Sequence, residues 1–183
     1  MAAPKDRSIH NLSGNWKLNH ALSDDIGAAM AVQGVNFILR TALSRAPISL
    51  AIEHNKDDAT GLETIVTRQS TIGRTMEDQR PLNGEEVVTN HIVFGEVKSS
   101  AEYIAVGEIT AERLKSDWEN GTQELIQQRS QGKTWFSWQT WGFEVINGDR
   151  YHVRRTIIRK GHDTQDVSAQ DVFVRMVYDW IGQ

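Results

Sequence analysis

The chain of 183 residues contains no cysteine and only three prolines, at positions 4, 47 and 81. Without cysteine there is no disulfide framework, no thiolate zinc site and no thiol nucleophile. No apolar run approaches the ~20 residues that a membrane-spanning helix needs. Basic residues are not in excess: 20 Lys and Arg stand against 24 Asp and Glu, a net charge of −4. That balance speaks against nucleic acid, whose phosphates attract a basic face. The opening MAAPKDRSIHN lacks the apolar core of a secretory signal, which predicts a cytoplasmic protein. No Gly-x-Ser-x-Gly elbow, phosphate-binding loop or dinucleotide fingerprint is present. The six histidines lie at 10, 20, 54, 91, 152 and 162, and no pair has the spacing of a metal-ligand motif. Neither metal nor cofactor is expected. Low-complexity linkers and repeats are also missing, which predicts one domain.

Six Trp, five Phe and three Tyr are present and give a core something to bury. Ser13–Asn19 reads as a first strand. Ser23 is a suitable N-cap, followed by Asp24 and Asp25 where a helix dipole favours anions. Gly34 breaks that helix. Val35, Ile38, Leu39, Ala42 and Leu43 then follow helical spacing, and Pro47 stops the second helix. Beyond Pro47 the apolar period falls to two. Strands are predicted from Ile48, over Thr64–Gln69, Thr71–Gln79, Val87–Phe94, Ala101–Ile109, Glu124–Arg129, Thr134–Ile146, Arg150–Lys160 and Val172–Trp180. KDDATG (56–61) and PLNGE (81–85) read as turns, Ala111–Trp118 as a short helix or turn, and Gly161–Gln170 as a polar loop. Asn147-Gly148 between two β-rich runs is the strongest hairpin signal, because both residues tolerate positive φ. The expectation is an all-β protein: a ten-stranded antiparallel up-and-down β-barrel with a helix-turn-helix lid between its first and second strands. A barrel manages the sheet edges, and strands rich in Thr, Gln, Glu and Arg suit a wet interior better than a dry sandwich core.

Gly14-Asn15-Trp16-Lys17-Leu18 resembles the G-x-W opening strand of the calycins, the lipocalins and fatty-acid-binding proteins. Ser23-Asp24-Asp25 leading to Gly34-Val35-Asn36-Phe37-Ile38-Leu39-Arg40, with Pro47 before the next strand, is similar to the intracellular fatty-acid-binding branch. The chain also resembles small lipocalin-like proteins of filamentous fungi, which share its W-G-F (141–143) and Y-D-W (178–180) segments. The resemblance implies a flexible tail over residues 1–10 and one lipocalin-like barrel over 11–183. It implies that Trp16 plugs the closed end and stacks on an arginine of the last strand, for which Arg175 is the candidate. The chain departs from the family in that last strand. The family carries R-x-Y there, with both side chains on one face for a carboxylate. Here Arg175 and Tyr178 are three apart and fall on opposite faces unless a bulge intervenes.

A two-residue turn at Asn147-Gly148 places Gln139, Trp141, Phe143 and Val145 on one face with Arg150, His152, Arg154 and Thr156. Matched to the fatty-acid-binding pattern, this face is the inner one. The other face carries Phe136, Trp138, Thr140, Glu144, Tyr151, Val153, Arg155 and Ile157. Mostly apolar walls with a few fixed polar groups are what small-molecule sites are made of. The candidate ligand contacts are Gln139, Trp141, Phe143, His152, Arg154 and His91, with Phe37 and Ile38 as lid residues. Arg154 reads either as a cation for a carboxylate, enol or phenolate, or as half of an ion pair in the wall. His152 reads either as a proton-transfer or hydrogen-bonding group or as a satisfied wall histidine. Asp24-Asp25 and Asp57-Asp58 read as a cap and a solvated turn.

Two functions follow. One is a carrier for a hydrophobic small molecule with a polar end. The other is a cofactor-independent cyclase or isomerase, a pericyclase of the Diels–Alder kind acting on a polyketide or terpenoid, with His152 and Arg154 as its catalytic pair. Such barrels are known among the calycins, and the chemistry needs only a shaped cavity and a polarising group. A structural or stress-related protein with an empty barrel is a third option. Phe136, Trp138 and Ile157 on the outer face hint at a homodimer.

Overall fold

The computed structural model describes residues 1–161 and 171–183, so the loop expected over 161–170 lies, apart from Gly161, outside the described residues. Ten strands are present: β1 (Gly14–Leu18), β2 (Ile48–Lys56), β3 (Glu63–Thr71), β4 (Arg74–Pro81), β5 (Val87–His91), β6 (Gly95–Ala105), β7 (Glu124–Gln131), β8 (Trp135–Ile146), β9 (Asp149–Lys160) and β10 (Val172–Gly182). Helices α1 (Gly27–Val32) and α2 (Phe37–Arg45) lie between β1 and β2, and α3 (Glu112–Lys115) between β6 and β7. None of the helices is long and apolar enough to cross a membrane, among the described residues.

The strands form one sheet in the order β4-β3-β2-β1-β10-β9-β8-β7-β6-β5, antiparallel throughout. The sheet curls into a nearly closed barrel. Among the described residues no ladder joins its edge strands β4 and β5. A side chain crosses the seam instead: Thr89 Oγ1 donates to Asp78 Oδ1 at 3.4 Å.

The hairpin forms in the expected register, Gln139 opposite Thr156, Trp141 opposite Arg154 and Phe143 opposite His152. Asn147 and Gly148 take φ of 54° and 88°, the left-handed values that a two-residue hairpin turn requires. The run Val87–Phe94, expected as one strand, ends at His91. Backbone N–H groups of Val93 and Phe94 donate to His91 Nδ1 at 3.1 and 3.3 Å, which fixes a turn into Gly95. Gly95, at φ 72°, is the residue that permits it.

Ser23 and Asp24 do not cap α1, whose N-cap is Ile26. β1 stops at Leu18, opposite Tyr178, so the first half of β10 lacks a partner on that side. Backbone groups there must be satisfied. Val177 N–H donates to Ser23 Oγ at 2.9 Å, and Arg175 N–H to Asp24 Oδ2 at 2.8 Å. The second helix is capped by Asn36, whose Oδ1 accepts from Leu39 N–H at 3.0 Å.

Residues 1–10, expected as a tail, carry hydrogen bonds to the barrel. Ala3 N–H donates to the Arg150 carbonyl at 2.6 Å and Trp180 N–H to the Met1 carbonyl at 3.0 Å. Arg150 Nη1 donates to the carbonyls of Pro4 and Arg7 at 3.2 and 2.8 Å. The segment closes the end of the barrel where β9 begins and β10 finishes.

Two larger apolar cores result, beside a small cluster of Ala29, Ile158 and Val174. The inner one surrounds Trp16, with Leu12, Leu50, Ile65, Ile126, Trp141, Phe143 and Tyr178. The other lies outside the barrel wall: Phe136, Trp138, Leu125 and Ile157 pack against Ile109, Ala111 and Leu114, with Trp118 and Phe173 beside them. The outer residues that hinted at a homodimer are therefore covered by the chain's own 109–118 segment.

Candidate functional site

Between the helical pair and the Trp16 core lies a cavity of about 620 Å³, within the usual size for small-molecule sites of roughly 300–1,000 Å³. Its roof is apolar, from Ile26, Ala29 and Met30 and from Leu39 and Leu43. Its walls mix Met76, Val97, Ile158 and Val174 with Gln128, Ser137, Gln139, Arg154 and Thr156.

Arg154 is the central polar group. Its residue is 8% exposed and its guanidinium stacks 3.9 Å from the Trp141 ring centroid. Tyr178 lies 5.6 Å away in the same sense. Arg154 Nε donates to His152 Nε2 at 3.2 Å, and Nη2 has no partner. Among the described residues no ion pair holds it. Burial holds its pKa below the usual guanidinium range.

His152 is wholly buried, 5.3 Å from Trp16 and 5.6 Å from both Phe143 and Tyr178 between ring centroids. Nδ1 lies 3.1 Å from the Gly142 carbonyl and so carries the proton. Nε2 then accepts from Arg154. Burial, and after it the charge on Arg154, push its pKa well below the ordinary histidine value. Both ring nitrogens are engaged, so His152 is a neutral group that orients Arg154. A further pair fixes the wall: Gln139 Nε2 donates to Thr156 Oγ1 at 2.6 Å, and Trp141 Nε1 donates to Gln139 Oε1 at 2.5 Å.

Of the residues singled out in the sequence, Gln139, Arg154 and His91 line the cavity. Trp141 supports Arg154 from beneath. Phe143 and His152 belong to the core below. Phe37 and Ile38 are 68% and 82% exposed on the outer side of α2, and Leu39 and Leu43 face inward in their place. Arg175 does not meet Trp16. It lies on the outer face, with Nε 3.1 Å from Glu144 Oε2. The register pairs Arg175 with Arg155 but Tyr178 with His152, so Arg175 and Tyr178 take opposite faces, as period two requires. Trp16 packs on Trp180 at 4.9 Å and donates Nε1–H to the Leu12 carbonyl at 3.0 Å. The cations at that end are Arg7, 5.1 Å from the Trp180 ring, and Arg150, 3.7 Å from Phe143.

Arg80 was not among the residues that the sequence singles out. The strand over 71–79 reads as weakly polar, yet its alternation already separates Arg74, Met76, Asp78 and Arg80 from Thr75, Glu77 and Gln79. Arg80 lines the cavity and pairs through Nη1 with Asp78. Its pKa is lowered to about 10 by burial and by the charge on Arg154. His91, desolvated and near Arg80, is lowered to about 4 and is neutral at physiological pH.

No family model matches the chain. The Schistosoma mansoni fatty-acid-binding protein in complex with arachidonic acid superposes with a TM-score of 0.59, at 15% identity over 93% of this chain and 96% of that one. The fluorescent protein UnaG gives 0.56, at 14% identity over 93% and 97%. The fold is that of the calycins. Two fungal proteins are similar in sequence along the whole calycin barrel and its helices. A "probable pericyclase", scpY, of Mollisia scopiformis is 28% identical over 99% of this chain and 95% of its own. The pericyclase pydY of an Acremonium species is 27% identical over 100% and 98%.

Proposed function

We propose that the protein is a cofactor-independent pericyclase that binds a hydrophobic small molecule with a polar end inside its barrel. Small-molecule binding follows from the cavity: an apolar roof for a chain and one polar pole for a head group. The single observation that carries the reading is Arg154, a buried cation with a free N–H, held by a neutral imidazole and an indole face. Such a donor costs little to reorganise and hydrogen-bonds a carbonyl or enol oxygen whose charge grows in the transition state. The cavity folds the rest of the molecule so that its reacting carbons meet. A pericyclic step redistributes electrons around a ring, with no proton or leaving group to handle. A neutral His152 with both nitrogens engaged suits that chemistry and does not suit general-base work. The full-length likeness to two pericyclases supports the same choice over a plain carrier.

The test is incubation with linear polyene precursors carrying a conjugated carbonyl, followed by chiral chromatography. One diastereomer, formed faster than in buffer, is expected. Arg154→Met should slow turnover by roughly 10²–10³-fold, as loss of one preorganised donor does. Tight binding of fatty acids with no turnover of any polyene would identify a carrier instead.

A further inference from the structure

Arg74, Arg80 and Arg154 line the cavity, and no Asp or Glu does, among the described residues. Arg74 is exposed at the mouth. The other two lie inside, on opposite walls: Arg80 on the edge strand β4 and Arg154 on β9. The side chain of Arg80 is 16% exposed and its buried Nε lacks a partner. Nη2 of Arg154 lacks one as well. The carboxylate within reach is Asp78, behind Arg80 and tied to Thr89. His91 and His152 are neutral and add no charge. Asp78 pairs with Arg80, and the positive charge of Arg154 is left out of water with no carboxylate against it among the described residues. A buried charge without a counterion is unfavourable until something neutralises it. Guanidinium N–H groups also match the lone pairs of a two-oxygen anion better than those of a single carbonyl.

We infer that the polar end of the ligand is a monoanion with two oxygen acceptors, a carboxylate or the enolate of a 1,3-dicarbonyl, bridged between Arg80 and Arg154, and that Arg80 selects the ionised form. This rests on the cavity being the ligand site, as proposed above, but not on cyclisation. Asp78 holds Arg80 in place and competes with the anion for it.

Fluorescence titration with two matched pairs tests this at neutral pH: dansylaminoundecanoic acid against its methyl ester, and a dodecanoyl cyclohexanedione against its enol methyl ether. In at least one pair the ionised member should bind about tenfold or more tightly than the neutral one, and the pair with the larger ratio tells carboxylate from enolate. Arg80→Met should reduce that ratio below about threefold, by weakening the ionised member more than the neutral one. Asp78→Asn should raise the ratio. Arg80→Lys, which keeps the charge and loses the fork, should give an intermediate ratio and serves if Arg80→Met does not fold. Equal affinities within both pairs, binding of none of the four compounds, or a ratio unmoved by the Arg80 variants overturns the inference. Cyclisation with equal affinities sinks this inference alone; a tenfold ratio without turnover sinks the pericyclase reading alone.

Discussion

At the scale of single residues, the cavity's cation and the barrel's plug make opposite demands on stability. Trp16 is fully buried among Trp180, His152 and Phe143. Trp16→Ala removes a large side chain from a packed core and should cost roughly 3–5 kcal/mol, read from urea unfolding. A variant as stable as the parent would contradict the plug role. Arg154 is different, because its charge is desolvated and unpaired. Arg154→Met removes that penalty but leaves His152 Nε2 without a donor, which costs ~1–3 kcal/mol. The two effects oppose, so the unfolding free energy should change by no more than about 1 kcal/mol while ligand affinity falls. His91 sets part of the pH dependence. Its folded pKa lies near 4, below the unfolded value of 6.5, so the neutral form is the one the fold favours. The stabilisation is complete above pH 6.5 and is lost as pH falls towards 4, because the unfolded chain takes up the proton first. With allowance for partial exposure this amounts to about 1–2 kcal/mol between neutral pH and pH 5. His152 shifts in the same sense. His91→Asn should therefore lose less stability than the parent over that interval, but still lose some; an identical loss would remove His91 from the account.

At the scale of elements, the segment over 106–118 is what separates the outer hairpin face from water. Leu114 is 2% exposed, and its carbonyl accepts from Trp118 Nε1 and Thr140 Oγ1 at 2.9 and 3.0 Å. Leu114→Ala should cost roughly 2–5 kcal/mol by cavity formation. Sedimentation should also show self-association as Phe136 and Trp138 become exposed; a monomer at every concentration would show that this cover does not guard an adhesive face. The same elements show what a sequence can disclose. The strand count, the Asn147-Gly148 register and the helical pair were legible because each rests on a local rule, period two, a positive-φ turn or 3.6 spacing. Gly95 was the available sign that Val87–Phe94 breaks, but the apolar run outweighs one glycine. Ser23 looks like a helix cap because the sequence does not show that β10 outruns β1. Arg175 was assigned to Trp16 by likeness, and the pairing with Glu144 depends on two strands distant in the chain. Arg154 and Gln139 were placed on one face by the hairpin register, and the likeness to the fatty-acid-binding pattern turned that face inward; both line the cavity. Arg80 was not singled out, because its importance depends on β4 facing β9 across the barrel.

At the scale of the whole molecule, the ten-stranded sheet has one weak line. Hydrogen bonds run unbroken from β4 around to β5, and among the described residues no ladder joins those two edges: Thr89 meets Asp78 across the seam, and just past β4 the Gly84 N–H donates to the Ala101 carbonyl of β6 at 2.9 Å. The long hairpin of β8 and β9 lies opposite, with Val153 wholly buried and Trp141 1% exposed. Local opening should follow this contrast, since few buried contacts and free strand edges lower the opening free energy. Amide hydrogen exchange should be fastest in β4 and β5 and slowest in β8, β9 and β10. A ligand seated between Arg80 and Arg154 ties the edge strand to the rigid wall. Its binding should therefore slow exchange in β4 and β5 by at least about tenfold and leave β8 and β9 nearly unchanged. Uniform protection across all ten strands, or a ligand effect confined to α1 and α2, would show that the seam is not the compliant part of the barrel.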